Sequence, residues 1–344
     1  MTTVKKIQPG FILPSAALTV PKSIVKTFQF IDNYPQVGDL VYGKVQSVGQ
    51  HTELENKLGR IHKINIGTKS IFVFGNRYAP DAYEALVPKD FSAEVDLHAR
   101  SGIIGNVVNR NATMKDPTRI KILGYVVDVE QKIINTTDYC FVKPKNNDKL
   151  LPRSKMILVV GTSMNSGKSR SCSAVTWALS SAGKRVRGTK VTGTASLKDI
   201  LHMEDAGASN ISDFSYFGYP STYMLSEPEV LDIFNKLDLK YANNPNNYWV
   251  VEIADGILQR ETMMLLNSDI VRSRIHKLVF AARDAFGAIG GVKILKEKFN
   301  LVPDAISGVC SSSPLTVLEL MEHTKIPIFD NMVWNLEQLL GIIL

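Results

Sequence analysis

The sharpest chemistry in the chain lies in Gly161-Thr162-Ser163-Met164-Asn165-Ser166-Gly167-Lys168-Ser169. This run of small residues follows the apolar stretch Met156 to Val160 and precedes residues 168–182, which have helical composition. A loop between a strand and a helix N-terminus presents successive backbone N–H groups, and the positive end of the helix dipole, to an anion. Gly167 permits close backbone approach, Lys168 can reach β- and γ-phosphates, and the Ser169 hydroxyl suits magnesium. Gly161, Thr162, Asn165, Ser166 and Arg170 complete the expected phosphate-binding segment.

These residues need a frame, and residues 151–344 supply one. Continuous apolar runs at Met156 to Val160, Val186 to Val191, Tyr248 to Ile253, Leu278 to Ala282 and Ala305 to Val309 read as buried parallel strands. Helical stretches near 226–237, 257–267, 287–299 and 314–323 separate them, and Gly183 is a fitting residue to end the first helix. Strands alternating with helices predict a P-loop NTPase domain of α/β class with a mostly parallel sheet. The apolar tail from Trp334 to Leu344 reads as a packing helix or a dimer contact, and a homodimer is expected.

Five residues, rather than the usual four, separate Gly161 from Gly167. This longer Walker A loop resembles those of dethiobiotin synthetase and of the synthetase domains of cobyric acid and cobyrinic acid diamide synthases. Ser163 stands where the related cell-division and plasmid-partition ATPases carry an extra lysine, which argues against a dimerising ATPase switch. Gly188-Thr-Lys190-Val-Thr192-Gly-Thr194 resembles the second-strand segment of dethiobiotin synthetase, which implies that Lys190 faces the transferred phosphate. Val250-Val-Glu252-Ile-Ala-Asp255-Gly256 is similar to the segment whose glutamate helps hold magnesium there, with Asp255 in place of a small residue. The resemblance also implies a magnesium-binding aspartate after the second strand. Asp199, Asp205 and Asp213 are the candidates; spacing does not decide among them, and Asp205 is preferred here. The implied catalytic set is Lys168, Lys190 and Glu252, with magnesium on Ser169, Glu252 and Asp205.

The local texture of Glu204-Asp205-Ala-Gly-Ala, Asp213-Phe214, Gly218-Tyr-Pro-Ser-Thr-Tyr223, Ala254-Asp-Gly-Ile-Leu-Gln-Arg-Glu261 and Asp284-Ala-Phe-Gly-Ala288 is similar to a second family. That family of P-loop proteins is defined by a domain of unknown function. Some of its members are linked to D-amino-acid metabolism, including N-acetyl transfer to D-glutamate. The similarity covers roughly residues 156–330 and implies an acyltransferase acting on an amino acid as one alternative. Ser311-Ser-Ser-Pro314-Leu315 follows the last long strand, where the class often places its base-contacting loop. No Asn/Thr-Lys-x-Asp motif of the guanine-reading kind is found, so ATP is the expected nucleotide.

Residues 1–150 have a different character. Leu40, Val41, Val45 and Val48, then Ile64, Ile66 and Ile71 to Phe74, then Ile103 to Val108 and Ile120 to Val127 form short β-like runs. Gly43, Gly49, Gly67 and Gly75 read as turns between them, as in a small barrel or sandwich behind an N-terminal arm. Gly38-Asp-Leu-Val-Tyr-Gly-Lys-Val45 resembles the opening strand of an S1-type or other OB-like barrel. Val142 to Arg153, polar and basic with two prolines, reads as a linker. Residues 1–155 hold 22 Lys+Arg against 14 Asp+Glu, a net of +8; residues 156–344 hold 18 against 19, a net of −1. The basic half therefore suggests an anionic partner, with Tyr42, Lys44, His51, Arg60 and His62 as candidates for a nucleic-acid face.

Apolar residues at 44% and charged residues at 21% suit a globular protein, and no apolar run approaches the ~18 residues of a membrane span. No signal peptide is read after Met1, and a cytoplasmic protein is expected. The three cysteines and six histidines show no metal-site spacing. The sequence thus points to a magnesium- and ATP-dependent enzyme of the dethiobiotin synthetase type, activating a carboxylate or carbamate of a small metabolite by phosphoryl transfer. Arg260 and Glu261 either face that substrate or form a surface pair. A nucleotide-controlled switch, whose N-terminal domain contacts nucleic acid or a protein, is the alternative from another class. If the enzyme makes amides, its ammonia is expected to come from elsewhere.

Overall fold

The computed structural model describes residues 3–143 and 153–344, so residues 144–152 of the expected linker lie outside the described residues. The chain divides into two compact units. One gathers Met1–Phe141 with the later segments Thr194–Leu197 and Phe214–Met224; the other gathers Val142–Gly193, Lys198–Asp213 and Leu225–Leu344.

The first unit is built on strands β1 (Lys5–Lys6), β2 (Thr27–Gln29), β3 (Leu40–Ser47), β4 (Glu53–Glu55), β5 (Ile61–Lys63), β6 (Lys69–Phe74), β7 (Arg77–Tyr78), β8 (Tyr83–Leu86), β9 (Glu94–Leu97), β10 (Ile103–Arg110) and β11 (Thr118–Val127). Five of these close on themselves: β11 pairs with β3, β3 with β6, β6 with β10, β10 with β9, and β9 with β11. Only the β6–β10 contact in this ring is parallel. Closure removes the open edges that a small sheet would otherwise expose. The barrel interior is filled by Val41, Val45, Phe72, Phe74, Val95, Leu97, Ile104 and Ile120. Gly43 is not a turn residue, as its type suggested, but sits within β3. A Cβ there would lie 2.7 Å from Ile120 Cγ2 and 3.0 Å from a Phe72 ring carbon, so glycine makes room for the core rather than for a bend.

The second unit holds six parallel strands: β12 (Lys155–Gly161), β13 (Val186–Lys190), β14 (Asn210–Asp213), β15 (Tyr248–Glu252), β16 (Ile275–Ala282) and β17 (Ala305–Gly308). Their order is β14-β13-β15-β12-β16-β17, with every pairing parallel. The connecting helices are α1 (Lys168–Ser181), α2 (Lys198–Asp205), α3 (Glu227–Tyr241), α4 (Arg260–Asn267), α5 (Asp269–Arg274), α6 (Ala285–Phe299) and α7 (Pro314–His323), with α8 (Leu336–Ile343) at the end. The central strands β12 and β15 are almost wholly buried, which is why they read as unbroken apolar runs. A capping box from Ser226 and Glu229 starts α3, and Gly183 follows α1 with φ of 73°. Among the described residues no helix is long and apolar enough to cross a membrane.

Candidate functional site

β12 is flanked by β15 and β16, so the loop leaving its C-terminal end emerges at the middle of the parallel sheet. Ligands of open α/β sheets bind at this carboxyl edge. The Thr162 N–H donates to the Ala281 carbonyl at 2.9 Å, and Ile257 N–H donates to the Gly161 carbonyl at 2.9 Å, which tie the loop to the strand ends on both sides. Asn165 and Gly167 take positive φ values of 58° and 103°, the turn geometry that folds the loop back onto the start of α1. A Cβ on Gly167 would lie 2.7 Å from Asn331 Nδ2 and 2.8 Å from Gly308 Cα, so the position has room only for glycine.

Lys168 opens α1 and folds over the loop, its Nζ donating to the Ser163 carbonyl at 2.8 Å and to the Asp255 carbonyl at 2.5 Å. Ser169 Oγ donates to Glu252 Oε1 at 3.0 Å, with Asp199 Oδ1 at 3.3 Å. Lys190, the last residue of β13, is hydrogen-bonded and ion-paired to Asp199 Oδ2. Lys168, Lys190 and Glu252, all buried, therefore form one cluster with the half-buried Ser169 and Asp199, assembled from α1, β13, α2 and β15. Asp205 does not join it: it is exposed at the last residue of α2, whereas Asp199 lies in that helix's first turn. Asp213 is buried at the end of β14. Arg170 is exposed and reaches Met332 Sδ. Thr162 and Ser166 lie in the loop, and each has a buried hydroxyl oxygen with no hydrogen-bond partner among the described residues.

Burial works against the charge of the cluster's four ionisable members, and the neighbours decide the outcome. On Lys190 burial is outweighed by the carboxylates of Asp199 and Glu252, so its pKa lies above the ordinary lysine range. On Asp199 burial is likewise outweighed, by Lys190, and its pKa is lowered. Burial prevails at Glu252 despite Lys190, and its pKa is raised; burial also prevails at Lys168, whose pKa is lowered despite Glu252 and Asp255. Glu252 is 2% exposed, and among the described residues its Oε2 has no hydrogen-bond partner. A buried carboxylate oxygen without a donor, next to a hydroxyl and a second carboxylate, fits magnesium. That ion takes one or two carboxylates and completes its shell with phosphate and water. Ser169, Glu252 and Asp199 are the residues that would hold it.

A glycine loop between a buried central strand and a helix, with its lysine and hydroxyl beside a strand-end carboxylate, decides the fold. The second unit has the fold of a P-loop NTPase domain.

No family model and no curated protein matches the chain. Solved structures resemble part of it. A DUF1611 family protein from Anabaena variabilis shares 17% identity at a TM-score of 0.40, over 59% of this chain and 60% of that one. The signal recognition particle receptor FtsY from Elizabethkingia anophelis, in complex with GDP, shares 11% identity at 0.37, over 60% of this chain and 68% of its own. A second FtsY structure from the same organism gives 12% and 0.37, over 60% and 71%.

Of the remaining sequence candidates, Arg260 and Gln259 both hydrogen-bond to Glu261, which is buried. In the first unit Tyr42 is buried with its ring 4.9 Å from that of Phe28, while Lys44, His51 and His62 are half-buried and Arg60 is exposed. Ser311 is buried and its hydroxyl donates to the Gly308 carbonyl at 2.8 Å. Gly308 and Asn331, which pack on the phosphate loop, had no motif to reveal them. They come from segments far along the chain, and only the folded sheet brings them to Gly167.

Proposed function

We propose that this chain is a magnesium-dependent nucleoside-triphosphate enzyme that uses ATP to activate the carboxylate or carbamate of a small metabolite. The observation that carries this reading is the second lysine. Lys190 is buried at the end of β13 and joined through Asp199 to Ser169 of the phosphate loop. A nucleotide-binding loop alone needs one lysine; two buried lysines beside two carboxylates suit a centre where negative charge moves during the reaction.

In this reading the loop's backbone N–H groups and Lys168 hold the β- and γ-phosphates. Bound magnesium would neutralise phosphate charge and orient the triphosphate. An acceptor carboxylate oxygen forms a bond to the γ-phosphorus while the bridging P–O bond breaks, its electron pair leaving on the nucleoside diphosphate. Lys190 stabilises the charge that shifts onto the transferred group, and Asp199 holds the lysine in place. Glu252 keeps the Ser169 hydroxyl oriented through the 3.0 Å hydrogen bond.

The test is phosphate release from ATP by the wild type and Lys190→Ala, with magnesium, across a panel of dicarboxylates, amino acids, RNA and DNA. Strong stimulation by one small carboxylate, lost in the variant, is the expected result. Slow hydrolysis stimulated only by nucleic acid would replace this reading with a nucleotide-controlled switch. Acyl transfer to an amino acid without ATP consumption would replace it with an acyltransferase.

A further inference from the structure

The C-terminal segment of the second unit enters the phosphate loop. Residues 327–329 run beside β17: Ile306 N–H donates to the Pro327 carbonyl at 2.9 Å, and Phe329 N–H donates to the Ile306 carbonyl at 3.1 Å. Two residues later Asn331, only 3% exposed, donates through Nδ2 to the Gly167 carbonyl at 3.2 Å, with Ser171 Oγ at 3.5 Å. Beyond it the Trp334 indole N–H donates to the Asn331 carbonyl at 2.9 Å. The Trp334 ring lies 5.5 Å from that of Trp177 on α1. α8 then packs on α1, with Leu339 and Ile343 buried. Asn331 is thus held from both sides along the chain.

Its partner is an unusual acceptor. The Gly167 carbonyl also receives the Ser171 N–H at 3.0 Å and the Ser171 hydroxyl at 3.2 Å, so three donors converge on one oxygen. In a planar trans peptide the C=O and the N–H point in opposite directions, and the N–H of this peptide belongs to Lys168. That N–H lies in the first turn of α1, where no intrahelical acceptor exists and an anion is the natural partner. Hydrogen bonds donated to a peptide oxygen polarise the unit and make its N–H a stronger donor.

We propose that Asn331 is a positioning residue of the nucleotide site, acting through the Gly167–Lys168 peptide so that the C-terminal segment sets the affinity for a bound triphosphate. The inference rests on the reading of the second unit as a triphosphate site. It adds to that site a residue more than 160 positions from the loop motif. Asn331 touches no phosphate itself; it fixes and polarises the peptide that does.

Titration calorimetry with magnesium and ATP or GTP tests it on the full chain, for the wild type, Asn331→Ala, Asn331→Asp and Leu339→Ala, with Tm measured without nucleotide. Asn331→Ala is expected to weaken binding about 3- to 10-fold, the range for losing one buried hydrogen bond. Asn331→Asp is expected to weaken it further, because its carboxylate cannot donate to Gly167 and brings negative charge toward the phosphates. Leu339→Ala removes a packing contact on the same tail; it should lower Tm while keeping the wild-type Kd below that Tm. Wild-type affinity in Asn331→Asp overturns the proposal. So does a loss of affinity at Asn331 that merely tracks the loss of Tm, as a purely structural tail would give. A wild type that binds neither nucleotide fails differently, by removing the triphosphate site on which the proposal stands.

Discussion

At the residue scale, the two aspartates of α2 differ in what they reach. Asp199 pairs with Lys190 and lies 3.3 Å from Ser169 Oγ, whereas Asp205 is exposed six residues later. Asp199→Asn should lower magnesium-dependent turnover by about 100-fold, the scale of removing one electrostatic contributor from a preorganised site. Asp205→Asn should leave it within about twofold, as for a surface substitution away from the site. Equal effects from the two changes, read by steady-state phosphate release over a magnesium titration, would move the metal site elsewhere. The same cluster explains why the carboxylates differ. Lys190 compensates Asp199, while Glu252 keeps one buried oxygen without a partner among the described residues, and a raised pKa.

At the element scale, the phosphate loop depends on its neighbour after β17. Gly308 has φ of 106° and ψ of −161°, a region that side chains with a Cβ avoid. A Cβ there would meet the Ser166 carbonyl and lie 2.6 Å from both the N and O of Ala282. Gly308→Ala should therefore cost about 1–3 kcal/mol of stability and weaken nucleotide binding as well. Chemical denaturation with unchanged stability would contradict this packing. The loop and α1 were legible from sequence because glycine, lysine and hydroxyl types are fixed by the phosphate chemistry. β12, β15 and β16 were legible because full burial leaves an apolar run. α2 and β14 were not: eight mostly polar residues and a four-residue strand, Asn-Ile-Ser-Asp, are too short to show a period. Without the start of α2 at Lys198, nothing in the sequence placed Asp199 rather than Asp205 toward the loop. The barrel was visible as texture only, since its strand β9 spans just four residues and Gly43 serves packing rather than a turn.

At the scale of the whole molecule, two units with separate cores need not unfold as one. The first contains two histidines kept neutral by burial. His98, whose Nε2 lies 3.1 Å from the Gly75 carbonyl, is pushed down to about 3. His51, with the Arg77 guanidinium adding to the effect of burial, is pushed down to about 4. Both bind a proton near pH 6.5 when unfolded but not when folded, so their contribution is complete above that pH. It declines as the pH falls toward about 4, by at most about 1.4 kcal/mol per pH unit for each histidine. Thermal unfolding from pH 7 to 4.5 should show this loss, and His98→Gln should make the dependence shallower. An unchanged slope in the variant would assign the acid sensitivity to other groups.

The most direct test of the central claim is calorimetric titration of the wild type and Lys168→Ala with ATP and GTP, with and without magnesium. Lys168 is the buried lysine of the loop, bonded to the Ser163 and Asp255 carbonyls. The account predicts magnesium-dependent binding of a triphosphate by the wild type, and affinity reduced by at least about 100-fold in the variant. Equal binding by the two proteins, or no binding by either, would contradict the assignment of a nucleotide site around Gly161 to Ser169.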